Sequence, residues 1–274
     1  MADTSVEGFD AGAFAASLPL TVLAAVLVLG VTFLVALRVG RHAVVDVAWG
    51  LGFVVIALAS YLLGTGDDGR RALVLALTSL WGLRLAAHIA GRSRGHGEDP
   101  RYAELLDRAR GNRTWYAVRK VYLTQAAVMW FVSLPVQVAM FQGEGLGLLA
   151  WAGVAVWAVG MFFETVGDYQ LHRFRSDPAS RGTVLDTGLW HYTRHPNYFG
   201  DACAWWGMWL VAASAWPGVL TVLSPAAMTW LLARGTGKPL LEKDIVDRRP
   251  GYADYVRRTS GFVPLPPRKT LREE

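Results

Sequence analysis

Arg194, His195, Asn197, Tyr198 and Asp201 lie within one short run, inside the stretch DTGLWHYTRHPNYFGDACAWWGMWL that spans Asp186 to Leu210. A guanidinium, an imidazole, a carboxamide, a phenol and a carboxylate brought so close can bind anions, hold hydroxyl groups and move protons. The run then passes without a break into an apolar, Trp-rich segment. Ionisable groups at the mouth of such a segment must be paired or hydrated, which makes them functional candidates. An interfacial collar would account for Trp190, Trp205, Trp206 and Arg194. It gives no role to Pro196 beside Asn197, or to Asp201 one turn further in.

Other charges fall into pairs. Arg84 and His88 are four residues apart, as are Glu164 and Asp168, so each pair occupies one helix face. Asp46 stands alone near the start of another apolar run. Two helices carrying opposite charge at one depth can simply neutralise each other, and that reading stays open. Against it, His172, Arg173, Arg175, Arg181 and Arg194 supply more cations than the nearby acids require. Forked guanidinium groups suit phosphate recognition, so a polyanionic cofactor from the cytosol would meet the surplus.

Four other chemistries find little support. No GxGxxG lies between a strand and a helix, so a Rossmann site is not the explanation. His88, His96, His172, His191 and His195 are scattered and form no HExxH-like cluster, so no metal site is expected. The single cysteine, Cys203, excludes an intramolecular disulfide and a Cys-based zinc site. No G-x-S-x-G elbow marks a serine nucleophile.

The elements that must position these groups are apolar helices. Of 274 residues, 53% are hydrophobic and 12 are Trp, and several runs approach the roughly 20 residues of a spanning helix. The chain is therefore expected to be an all-α polytopic membrane protein, a single membrane domain over 1–274. Spans are expected at about 18–37, 43–63, 72–90, 121–141, 148–168, 198–213 and 219–233, with 238–274 a cytoplasmic tail. Residues 1–16 contain acids and no Lys or Arg, unlike the basic start of a cleavable signal peptide. Tyr102 to Arg110 has helical character and is expected along the membrane surface. The loops after spans one, three and five, and the tail, hold nearly all the Lys and Arg, which puts the N-terminus outside and the C-terminus in the cytoplasm. The net charge of +5 reflects this topology and not a nucleic-acid partner.

GLWHYTRHPNYFGD, followed by an apolar WWG, resembles the C-terminal signature of the steroid 5-alpha-reductase and sterol reductase superfamily. VVDVAWG, LWGLRLAAHIAGR with GEDPRY, and RRPGYADYVRRTSGFVPLPP resemble the blocks of its bacterial DUF1295 group, so the likeness runs from about Asp46 to Pro267. The resemblance implies a seven-helix bundle that binds NADPH from the cytoplasm, with a steroid-like or other lipid substrate entering between helices. It implies a bacterial inner membrane and hydride transfer to an activated carbon–carbon double bond. By position, Glu164, Asp168 and Arg175 in ETVGDYQLHRFR match adenine, ribose and phosphate contacts. Asn197 and Asp201 match the sixth-helix motif, and Arg84 the arginine of the third helix. The cofactor-binding set is thus expected to be Arg84, Arg92, Glu164, Asp168, Arg175, Arg181, Tyr192, Arg194, His195, Asn197, Tyr198, Asp201 and Glu242.

Asp46, Trp81, Arg84 and His88 are the catalytic candidates. Trp81 stands where animal steroid reductases have a catalytic tyrosine, and Asp46 is the counterpart of their second-helix glutamate. A protonated His88 would be a proton donor at neutral pH; a structural hydrogen bond to Asp46 is the alternative.

Membrane methyltransferases of the isoprenylcysteine carboxyl and phospholipid N-methyl type share RHPxYxG, and Glu242 with the Gly251–Tyr255 segment fits their tail loosely. Their S-adenosylmethionine carries a cationic sulfonium and needs fewer arginines. A channel or scaffold is a third class, but no spans form symmetric repeats.

Overall fold

The computed structural model describes residues 8–235, 237, 242, 245 and 249–268. Among these the chain is helical and no strand occurs, beyond two isolated bridges. Among the described residues four helices are long and apolar enough to cross a membrane: α1 (Ala11–Val39), α2 (Val44–Leu63), α3 (Asp68–Ser93) and α8 (Leu148–Ser176). Residues 238–241, 243–244, 246–248 and 269–274 of the expected tail, and 1–7 of the acidic N-terminus, lie outside the described residues. The chain divides into two compact units, Met1–Trp151 with Met208–Ser224, and Ala152–Gly207 with Pro225–Glu274.

In the first unit the ends of the long helices are set by local chemistry. The Asp10 carboxylate accepts from the Ala13 amide at 2.9 Å and caps α1, which stops at Gly40 in the left-handed conformation (φ 74°). Glycine carries no Cβ and adopts that conformation without strain. Asp67 caps α3 in the same way through the Arg70 amide. Helix α2 packs against both α1 and α3. The α2–α3 crossing is made by glycine: a Cβ on Gly50 would sit 2.3 Å from the Gly82 carbonyl oxygen. Bare backbone at that point lets the helices approach more closely than larger side chains permit. Beside it, the Trp81 ring meets Phe53 edge-on at 5.4 Å.

The expected span at 121–141 is not one continuous helix. Helix α4 (Pro100–Asp107) and the short α5 (Arg113–Ala117) lead into a π-helical stretch, Val118–Leu123. Then follow α6 (Thr124–Val132) and α7 (Leu134–Ala139), with a break at Ser133. Pro135, which has no amide hydrogen to donate, falls in the first turn of α7, where none is needed. Gln137 ties the break together: its amide nitrogen donates to Ser133 Oγ (2.8 Å) and its oxygen accepts from Thr21 Oγ1 (2.8 Å).

Arg70 is fully buried. Its guanidinium donates to the carbonyls of Glu144 (2.9 Å), Gly145 (2.9 Å) and Val211 (2.7 Å) and to Ser214 Oγ (2.9 Å). A buried cation wrapped in carbonyl oxygens pins loop ends together.

In the second unit α8 runs antiparallel to α10 (Pro196–Ala213), and the glycines that fall there report the register. A Cβ on Gly167 would meet the Asn197 amide, one on Gly200 the Glu164 amide, one on Gly160 the Ala204 amide, and one on Gly207 the Trp157 amide. The small residues recur every three, four or seven positions, so they stay on one face of each helix. The short α9 (Leu189–Tyr192) precedes α10, and the helix is broken before Pro196. The expected seventh span consists of a 3₁₀ turn, Gly218–Val222, and α11 (Leu223–Ala233); α12 (Tyr252–Arg258) lies in the expected tail.

Candidate functional site

The α8–α10 register gathers polar groups of the second unit. With Gly167 against Asn197, the next residue of α8, Asp168, is brought to the first turn of α10. The Asn197 amide donates to Asp168 Oδ1 at 3.0 Å. Asp168 is 5% exposed, and one turn away on the same face Glu164 is 3% exposed. Asp201, one turn into α10, is also buried. Three carboxylates and a carboxamide are thus gathered along one helix seam.

The residues before Pro196 are held from outside the seam. Arg194 Nε donates to Glu242 Oε1 (2.8 Å) and Nη2 to Oε2 (3.3 Å), while Nη1 donates to the carbonyls of Thr259 (2.6 Å) and Val256 (3.2 Å). His195 Nε2 shares a hydrogen bond with Glu242 Oε1 (2.9 Å), and its ring stacks on Tyr198 with centroids 5.4 Å apart and 13° between planes. Burial opposes ionisation of Glu242, but hydrogen bonds from His195 and Arg194 and their charge outweigh it, holding the pKa at about 2. Tyr252 reaches the same carboxylate at 3.4 Å, and burial together with the Glu242 charge pushes its hydroxyl up to about 12.

The segment after α11 also fastens the chain on either side of α9. Leu265 N donates to Tyr192 O (3.0 Å), Thr193 Oγ1 to Phe262 O (2.8 Å) and Arg194 N to Ser260 O (2.9 Å). Tyr255 donates its hydroxyl to Trp190 O, and Arg258 pairs with Asp186. Trp190 in turn donates Nε1 to Gly167 O at 3.0 Å, returning the connection to the α8–α10 seam. Arg175, Arg181 and Tyr192 are exposed.

The catalytic candidates belong to the first unit, as do Arg84 and Arg92 of the cofactor set. Gly50 against Gly82 sets the first turn of α2 beside the last turns of α3, so Asp46 and His88 share one end of that helix pair. Arg84 and His88 are half-buried, Arg92 is exposed, and Trp81 is fully buried.

Asp46 is fixed by two residues of the GEDPRY run. Its carboxylate accepts from Tyr102 Oη (2.5 Å) and Arg101 Nη2 (2.8 Å). Burial and the neighbouring Asp46 charge push the Tyr102 hydroxyl well above its ordinary range, so it remains a donor. Glu98 accepts from the amides of His42 (2.5 Å) and Ala43 (2.9 Å), and so caps the start of α2. His42 meets the Tyr122 hydroxyl at 2.8 Å, and burial lowers its pKa, which favours the neutral ring. The GEDPRY run is legible afterwards as a helix start, an acid ahead of a proline at the first helical position. Nothing local says that its side chains reach back to Asp46.

Among the described residues no group of three or more His, Cys, Asp or Glu is arranged to hold a metal ion.

Comparison with known proteins gives a family but no activity. Residues 32–259 match the family described as "Protein of unknown function (DUF1295)". "Uncharacterized protein C594.04c" of Schizosaccharomyces pombe (strain 972 / ATCC 24843) is 24% identical over 231 residues, covering 74% of this chain and 66% of the relative. The chain therefore spans just under two thirds of that relative's length. No solved structure matches it. With its family match running through α1 to α12 and most of the chain between, this helical protein belongs to the DUF1295 family.

Proposed function

We propose that the chain is an NADPH-dependent membrane reductase related to the steroid 5-alpha-reductases, acting on an activated double bond of a steroid-like or other lipid substrate. In this reading seven segments cross the inner membrane, the N-terminus is outside, and the cofactor site faces the cytoplasm. One observation carries it. Beyond the Asp168–Asn197 pair, α8 ends in the exposed residues His172, Arg173 and Arg175, and the exposed Arg181 follows.

The donor set fits a dinucleotide. A carboxylate beside a carboxamide suits ribose hydroxyls, and guanidinium groups suit phosphates, which they bind through paired hydrogen bonds. Glu164, Asp168, Asn197 and Asp201 would orient the nucleoside portion, and Arg175 and Arg181 the phosphates. Arg194, His195 and Glu242 spend their hydrogen bonds on one another and on backbone carbonyls. Their part is to keep the start of α10 in place, with Tyr198 stacked on His195.

When bound, NADPH supplies the hydride. The chain's own task is to stabilise negative charge that develops on the substrate's activating carbonyl. His88 and Arg84 are the donors suited to that work. Asp46, held by Tyr102 and Arg101, sets the electrostatic field at their end of the helix pair. Trp81, edge-on to Phe53, supplies an apolar wall.

Purification in detergent followed by mass spectrometry of released small molecules tests the proposal. Co-purified NADPH or NADP⁺ supports it. Recovery of S-adenosylmethionine or its demethylated product would replace it with the methyltransferase reading.

A further inference from the structure

The first unit carries a groove on its apolar exterior that the proposed chemistry does not use. It lies open between α1 and α2, has a volume of about 350 Å³, and is lined by Leu27, Val28, Val31, Thr32, Ala48, Leu51 and Val55. Leu27, Val31, Leu51 and Val55 form its exposed walls, while Thr32 and Ala48 are buried in its floor. The one polar floor residue is silenced: Thr32 Oγ1 donates to Val28 O at 2.7 Å. The groove is thus apolar throughout.

One end of the groove is charged. Arg38 follows Val31 by seven residues and Leu27 by eleven, so at 3.6 residues per turn it falls on the same stripe of α1. It is exposed in the last turn of the helix. Val31 and Arg38 are separated by about 10 Å along the helix axis, and an arginine stem can lie along apolar surface while its head reaches the polar layer. Val35 and Leu34, exposed between them, continue the apolar track.

We propose that this groove binds one anionic phospholipid, with an acyl chain between α1 and α2 and the headgroup phosphate on Arg38. The shape selects a single chain lying along the helices, and the guanidinium at its end selects an anion. A neutral sterol would fill the groove without using that charge, and in a zwitterionic lipid the headgroup's own cation competes with Arg38 for the phosphate. The inference does not depend on the reductase reading.

The test uses full-length protein in detergent, titrated with dioleoyl phosphatidylglycerol or dioleoyl phosphatidylcholine and read by native mass spectrometry. Phosphatidylglycerol should bind at least tenfold more tightly. Arg38→Gln, an exposed change with little effect on folding, should remove that preference. Val31→Trp combined with Leu51→Trp should eliminate binding of both lipids, whereas Leu20→Trp, on the same helix outside the groove, should leave them unchanged. Equal affinity for the two lipids in the unaltered protein, or a charge preference that survives Arg38→Gln, overturns the proposal. So does undiminished binding in a folded groove-filled variant.

Discussion

Arg194 holds Glu242 through two nitrogens, at 2.8 and 3.3 Å, across 48 residues of sequence. The contact links the RHPNYFGD run to the segment after α11, and it has a consequence for stability. Removing one partner of a buried ion pair typically costs about 3–5 kcal/mol, and less here, because Glu242 is half-buried and His195 still meets its carboxylate. Arg194→Met should therefore lower the thermal unfolding midpoint in detergent by several degrees. A shift no larger than that of a surface arginine variant would show that the pair is dispensable.

The same carboxylate makes stability depend on pH. Glu242 is held at about 2 against an ordinary value of 4.5. Its contribution is therefore present above about pH 4.5 and is lost as pH falls toward 2. By linkage this is worth roughly 3 kcal/mol when fully expressed. Comparing unfolding at pH 6 and pH 3 should show a loss in the parent protein that is blunted in Glu242→Gln.

Asn197→Ala and Arg175→Ala should each weaken NADPH binding by about 1.5–3 kcal/mol, the usual worth of a hydrogen bond involving a charged group. Isothermal titration in detergent measures this. Unchanged affinity in both variants would send the search for a cofactor site elsewhere.

Gly200→Leu should disrupt the α8–α10 seam. Even a Cβ at this position would lie 2.5 Å from both the Glu164 amide and the Gly160 carbonyl oxygen, so backbone has to move. Overpacking of this kind costs about 1–3 kcal/mol or more. Reduced yield of monodisperse protein and a lower unfolding midpoint are expected. Gly30→Leu, at a site with nothing within 4 Å of its Cβ, is the matched control.

His88→Ala should reduce kcat while leaving NADPH affinity nearly intact, because an interaction made in the transition state appears in turnover. Tyr102→Phe should instead act through Asp46. It removes a donor to a half-buried carboxylate and should destabilise by about 1–3 kcal/mol. If Tyr102→Phe leaves the unfolding midpoint where it was, the Asp46–Tyr102 hydrogen bond does not hold α4 to α2.

The long apolar helices α1, α2, α3 and α8 are written in composition and length alone, because a helix that must satisfy its own backbone in an apolar surround needs about 20 apolar residues in a row. The cluster at Arg194 to Asp201 and the i,i+4 pairs are equally local, since residues close in sequence share a helix face by geometry. What those residues touch is not local. Asp46 takes its partners from 55 and 56 residues away, and Glu242 reaches back 48 to Arg194. Such contacts leave no periodic trace, because they depend on how loops return and not on helix pitch. The interruption inside 121–141 was hidden for another reason. Its hydropathy reads as one span, but Pro135 and the turn at Ser133 break the hydrogen-bond ladder that hydropathy ignores. Which face each glycine presents, and therefore that Asp168 meets Asn197, was decided only when α8 and α10 packed, since backbone can approach backbone only in the register that sets small residues opposite each other.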